Sequence, residues 1–208
     1  VLVGTNGTLS IEKIWIIVNE AKLKNADRSC DFVGVRGHDC AEFEAPPRFL
    51  DLPLDGEPVE AVTASIPAGV YEKLEFEIED LEDDESDPAK AAAIRQVRTQ
   101  VRAVAPDWPK EASALVTGSF TANGRTPVDF RVFLEAEVEV EMDLVPHLVV
   151  DQAGAANRNL TVDVSPDIWF RRPDGTVVDL ARYHFDATGA TLEFKVEMES
   201  GFTRVEID

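Results

Sequence analysis

Along most of this chain apolar and polar residues alternate one for one. The plainest case is LEAEVEVEMDL, Leu134–Leu144. There Leu134, Ala136, Val138, Val140, Met142 and Leu144 interleave with Glu135, Glu137, Glu139, Glu141 and Asp143. Successive side chains of a strand point to opposite faces, so a period of two predicts a strand with an aliphatic side and an acidic side. The same pattern predicts strands over Thr8–Leu23, Arg48–Leu54, Val59–Ile66, Val70–Leu81, Ala112–Ala122, Pro127–Val145, Asn159–Pro166, Ala190–Glu199 and Phe202–Asp208. Asn123-Gly124 and Asp174-Gly175 stand between alternating runs, where their tolerance of positive φ favours a hairpin turn.

One segment changes period. Over residues 86–106 the apolar residues Ile94, Val97, Val101 and Val104 recur every three or four positions, which predicts a helix with one buried seam. Asp87 suits its N-cap, Pro88 its first turn, and Pro106 its end. Arg95, Arg98 and Arg102 make a basic row on a neighbouring face. Helical arginines three and four apart rise about 4.5–6 Å, close to the ~6.5–7 Å between alternate residues of a strand. The expectation is therefore that Arg95, Arg98 or Arg102 lies over the acidic ladder. The fold class expected is mainly β: one antiparallel β-sandwich domain over 1–208, Ig-like or transthyretin-like, with 86–106 as a helical insertion.

Charge narrows the partners. The 208 residues carry 40 acids against 20 bases, a formal net charge of -20. Such a surface repels a phosphate backbone, which excludes nucleic acid, and it disfavours an anionic membrane. No apolar run approaches the ~18 residues of a membrane span. Cations, proteins and neutral glycans remain as partners, and so do further copies of the chain. A solvated ladder is cheap, since carboxylates at strand spacing repel by about 0.6 kcal/mol per pair in water. Covered by apolar groups it would be ruinous.

Several residues invite chemistry. Cys30 and Cys40 are close in sequence, with Gly34 and Gly37 between them, and this predicts a disulfide. Closing so short a loop restricts the unfolded chain by roughly 2.5–3 kcal/mol, and the bond persists only in an oxidising compartment. Free thiols, or a zinc site with His38 between them, are the other readings. Glu79–Asp87 holds seven acids in nine residues. Asp80, Glu82, Asp83, Asp84, Glu85 and Asp87 are the candidate calcium ligands, although the EF-hand spacing is missing. Trp108 lies between Pro106 and Pro109, where an exposed indole can stack on a sugar. Asn6 and Asn159 match the glycosylation acceptor. There is no nucleophile elbow, Walker loop or zinc-binding histidine pair, and no catalytic residue is assigned.

Five stretches together resemble a family of bacterial secreted lipoprotein domains of unknown function. They are GTLSIEKIWIIVNEAKL, the early cysteine pair, IPAGVYEKLEFEI, GSFTANGRTPVDFRVFLEAEVEVE and NLTVDVSPDIWFRRPDGTVVDL. The resemblance implies a β-sandwich exported to the cell surface and no catalytic residues. The helical insertion and the acidity depart from it. The chain starts at Val1 and reads as a mature or trimmed product. The expected role is an exported surface or envelope binding module, not an enzyme, with calcium as a possible cofactor. The rivals are a filament or pilus subunit assembled by strand exchange and a glycan-active enzyme.

Overall fold

The computed structural model describes residues 1–25, 43–55, 59, 65–81, 86–150 and 160–207. The fold is mainly β, with one large mixed sheet and one two-stranded sheet. The organising element is β2, Gly7–Asn25, 19 residues long. Its run of Ile, Val and Leu suits a pleated surface covered on both sides. Ile16 pairs with Leu50 on one flank and with Ala114 on the other, and Val18 pairs with Arg48 and with Ile78. One flank of β2 therefore carries β1 (Leu2–Gly4), β4 (Arg48–Asp51) and β3 (Phe43–Ala45). The other carries β6 (Ala114–Ala122) and β5 (Gly69–Ile78), lying end to end.

The next row repeats this arrangement. Strand β7, Val128–Glu135, pairs with β6, and β8, Val138–Val150, pairs with β5. Only Ala136 and Glu137 separate β7 from β8, so the segment expected as one strand is one run bent at its middle. The bend lies where Ala114 faces Leu134 and Ile78 faces Val138. Between β5 and β6 the chain carries helix α1, Pro88–Val104. Ser113 closes the seam. Its fully buried hydroxyl accepts from the Ala136 N–H at 2.9 Å and donates to the Ala136 carbonyl at 2.9 Å, while its own carbonyl accepts from the Ile17 N–H at 2.8 Å.

Gly118 sits where the pairing of β2 with β6 slips by one residue. A Cβ there would come 2.0 Å from the Ser10 carbonyl oxygen, so this close approach of two strands requires glycine.

The inner face of the sheet holds the main core. Ile14, Ile16, Phe76, Val116, Val132 and Val140 pack with side chains from the C-terminal segment, among them Trp169, Phe170, Leu180 and Met198. That segment contains β9 (Leu160–Val164) paired with β11 (Phe202–Ile207), helix α2 (Pro166–Phe170), a 3-10 turn (Leu180–Tyr183) and helix α3 (Phe185–Thr188). It ends with β10 (Leu192–Glu193), helix α4 (Lys195–Glu199) and β11. Phe202 of β11 meets Phe76 edge to face at 4.8 Å.

Three expectations need correction. Ala190–Glu199 is not a strand throughout: Leu192 and Glu193 pair with β7, and Lys195–Glu199 is helical. Phe194 and Met198, four residues apart, are both buried, so the apolar pattern also fits one helical face. Second, Val104 does not belong to the seam of α1. Ile94, Val97 and Val101 are buried, but Val104 is 39% exposed and Ala105 takes the inward place after the helix ends. Third, a sheet of nine strands facing one of two is far from the even division of an Ig-like domain, so the expected sandwich is met only at the coarser, mainly β level. The strand expected over Val59–Ile66 lies mostly outside the described residues.

Candidate binding face

The outer face of the sheet divides in two. Next to the bend, β2, β6 and β7 turn one apolar row outward, Trp15, Leu115 and Phe133 side by side, and the row beyond it is Lys13, Thr117 and Arg131. Helix α1 adds Ile94, Val97 and Val101 against Ile17. Over β5 and β8 the outward side chains are charged. Glu20 faces Glu77, which faces Glu139. The next row is Glu44, Lys22, Glu75 and Glu141, and the one after it Lys24, Lys73 and Asp143.

Lysines hold this lattice together. Lys22 contacts Glu20 and approaches Glu75 at 3.9 Å. Lys24 contacts Glu75 and reaches Glu141 at 3.2 Å, and Lys73 meets Glu141 at 2.5 Å. Lys90, in the first turn of α1, reaches Glu20 at 3.2 Å and Glu44 at 3.6 Å. Glu20 and Glu75 are buried, 7% and 4% exposed. Burial at that level is tolerable for a carboxylate only with charged partners this close. The Lys24 ammonium is held above the ordinary lysine value, first by its hydrogen bond to Glu75 and then by Glu141, with partial burial opposing. The Glu141 carboxyl is held low by Lys73 and then Lys24.

Carboxylate oxygens of Glu20, Glu75 and Glu77 lie within 4.8 Å of one another, a hard donor set of the kind calcium or magnesium prefers. Calcium wants six to eight oxygens, whereas three side chains converge here. Lys22 and Lys90 already hold Glu20, and Lys24 holds Glu75, so a metal ion would have to displace these ammonium groups. The set fits an ion network better than a metal centre.

The acidic ladder is distributed unevenly over this face. Glu137, Glu139, Glu141 and Asp143 are exposed. Glu135 is half-buried and accepts from the Thr191 hydroxyl at 3.2 Å, away from the others. Glu141 is the member held by lysines. Glu137, Glu139 and Asp143 make no ion pair among the described residues. The arginine row does not cover them. Arg98 donates to the Leu81 carbonyl at 3.0 Å, and Arg95 and Arg102 are exposed on the far side of α1 from its seam. No ion pair joins Arg95, Arg98 or Arg102 to the ladder among the described residues. The physical reason lies in the helix seam: Ile94, Val97 and Val101 dock on Ile17, which turns the arginines away from the sheet.

The remaining candidates are scattered. Asp87 caps α1, its Oδ1 accepting from the backbone N–H groups of Ala89 and Lys90 at 2.7 and 2.8 Å. Asp80 is half-buried before the helix, and Glu82, Asp83, Asp84 and Glu85 lie outside the described residues. Cys30, His38, Cys40 and Asn159 lie outside them too, so the disulfide expectation has no structural account. Asn6 exchanges hydrogen bonds with Val177 through both ends of its amide. Trp108 is half-buried, with its Nε1 donating to the Ala112 carbonyl at 2.8 Å and its ring against Phe49 and Phe133 at 5.7 and 5.2 Å.

Beside Trp108 is a cluster the sequence did not suggest. Arg131 holds Asp107 through two hydrogen bonds of 2.7 and 2.6 Å and also contacts Asp186. Its guanidinium sits 5.3 Å from the Phe133 ring centre and 5.6 Å from that of Phe185. His184 Nδ1 accepts the Arg131 backbone N–H at 2.9 Å. The Asp107 carboxyl is held below the ordinary range, chiefly by the hydrogen bonds from Arg131. No reacting group is left free in this arrangement; it fastens the loop before β6 and helix α3 to β7.

The buried acids Glu20 and Glu75 were also missed, because VNEAKLK and LEFEIE read as ordinary alternation. A usable signal was present: only seven lysines occur in the chain, and Lys22, Lys24 and Lys73 fall on outward positions of strands rich in Glu. Comparison with family models, curated proteins and solved structures finds no match for this chain. The resemblance to secreted lipoprotein domains therefore rests on the sequence pattern alone.

Proposed function

We propose that this chain is a binding module of the cell surface or envelope that captures a positively charged partner on the outer face of β8, and that it is not an enzyme. The observation that carries the reading is the set Glu137, Glu139 and Asp143. These acids are exposed and make no ion pair among the described residues; Glu139 and Asp143 stand on an outermost strand, and Glu137 lies in the bend just before it. In a chain of net charge -20 the field around that strand steers cations toward it. Export is supported by the lipoprotein resemblance and by the short spacing of Cys30 and Cys40. The sandwich reading is supported by side chains of the large sheet and of the β9–β11 pair joining one core.

The rivals have less support. Glycan hydrolysis would want a stacking aromatic and two working carboxylates, whereas the Trp108 ring is engaged by its own chain and Glu20 and Glu75 are held by lysines. A filament joined through β8 would bring two acid ladders face to face, and like charges directly opposite are destabilising.

The test is binding of a fluorescent oligolysine peptide at low and moderate salt, with Ca²⁺ as a competitor. The triple variant Glu137→Gln, Glu139→Gln, Asp143→Asn is predicted to weaken binding about tenfold, and added salt to weaken it in the parent chain. The control, with equal charge change, is Glu111→Gln, Glu199→Gln, Glu206→Gln. Equal loss in both triples would mean that net charge alone attracts the peptide and would refute the assignment to β8.

A further inference from the structure

Strand β8 offers a partner more than charge. On one side it pairs with β5; on the other, no strand pairs with it among the described residues. From Val138 to Asp143 the pairing with β5 is unbroken, residue for residue, against Ile78 to Lys73. It is then interrupted. Leu144 to His147 stand against the single residue Glu72 before pairing resumes between Leu148 and Tyr71. Pro146, within that interruption, has no N–H to offer. The usable edge is therefore the six residues Val138–Asp143. Half of them direct their N–H and C=O groups away from β5, as alternate residues of an antiparallel strand must.

Resting on the binding reading above, we infer that the edge Val138–Asp143 takes up an extended segment of a cationic protein as an added strand. Lys or Arg at every second position of that segment lies on the outer face beside Glu139, Glu141 and Asp143. The chemistry follows from strand geometry. An added strand brings its alternate side chains to the same face as the ladder and at the same spacing, so each cation meets a carboxylate directly across the pair. Main-chain hydrogen bonds supply affinity and the charge pattern supplies selection, as in strand addition generally. Glu139 has no cation of its own to give up, and Asp143 stands across from Lys73, whose ammonium is bonded to Glu141. The same acids discourage a second copy of β8, because antiparallel pairing matches outer face to outer face. Strand β8, against which β11 and helix α4 also pack, thus has an edge unpaired among the described residues that is closed to its own kind and left to a strand of opposite charge.

The experiment uses the whole chain and three synthetic peptides: Lys and Thr strictly alternating, the same residues in two blocks, and the alternating peptide with a central Pro. Strand addition predicts that the alternating peptide binds about tenfold more tightly than the other two, and that it alone slows amide hydrogen exchange at Val138–Asp143. Equal binding of all three peptides, with no slowed exchange, overturns strand addition while leaving a charge-driven binding face intact. Binding of none of them overturns both. Spermine carries the charge without a backbone, so equal slowing of exchange by spermine also overturns the inference.

Discussion

The outer face of the large sheet is built in two halves on one alternation, and the halves have opposite surroundings. Over β6 and β7 the outward row next to the bend is Trp15, Leu115 and Phe133, packed with Trp108 from the segment after α1. Over β5 and β8 they are Glu20, Lys22, Glu75, Glu77, Glu139 and Glu141, a charged set in which lysines join Glu20, Glu75 and Glu141. The inner face is aliphatic or aromatic in both halves. Alternation decides which side a residue takes; the identity of the outward set decides what can lie on it. Helix α1 docks its apolar seam on Ile17 of β2 and Phe49 of β4 and extends Lys90 to the charged half.

The contrast can be broken most severely from the covered half. Phe133 is fully buried and touches Trp108 and Phe185. Phe133→Ala is expected to cost about 3–5 kcal/mol in urea unfolding, and a loss under 1 kcal/mol would show that this half is not a core. At the seam, Ser113→Ala strands the Ala136 N–H and carbonyl in the interior. A loss of about 1–3 kcal/mol is expected, with no change in secondary structure by circular dichroism.

Smaller effects sharpen the comparison. Asp107 has its folded-state pKa lowered by Arg131. Its contribution is therefore complete above the unfolded-state carboxylate value of about 4 and is lost as pH falls through the folded value. Both groups are partly exposed, so Asp107→Asn should cost no more than about 1 kcal/mol at neutral pH. That gap should close as pH falls below 4, and a gap that stays constant would contradict the ion pair. Last, Glu139→Lys should change the unfolding free energy by no more than about 0.5 kcal/mol, while weakening oligolysine binding.

Much of this could be read from the residues. Strands β2, β5, β6 and β7–β8, helix α1 with its Asp87 cap, and the sidedness of Val138, Val140, Glu139 and Glu141 follow from spacing and from turn and capping chemistry. The bend at Ala136-Glu137 could not, because it is set by where β5 hands over to β6, a non-local event. The helical turn at Lys195–Glu199 was hidden since Phe194 and Met198 fit both periods. The lysine lattice and the Arg131 cluster were hidden because each needs strand register: Lys24 and Glu141 are 117 residues apart. The arginine row misled because equal spacing along two elements says nothing about which face of the helix docks.

The central claim is the sidedness of the run through β8, and a thiol scan tests it most directly. Single cysteines would be placed at each position from Glu137 to Leu144 in a Cys30→Ser, Cys40→Ser background, and their rates of alkylation measured under native conditions. Positions 137, 139, 141 and 143 are predicted to react fast, positions 138, 140 and 144 slowly, and the half-buried position 142 in between. Uniform rates, or a rhythm of three to four residues, would contradict it.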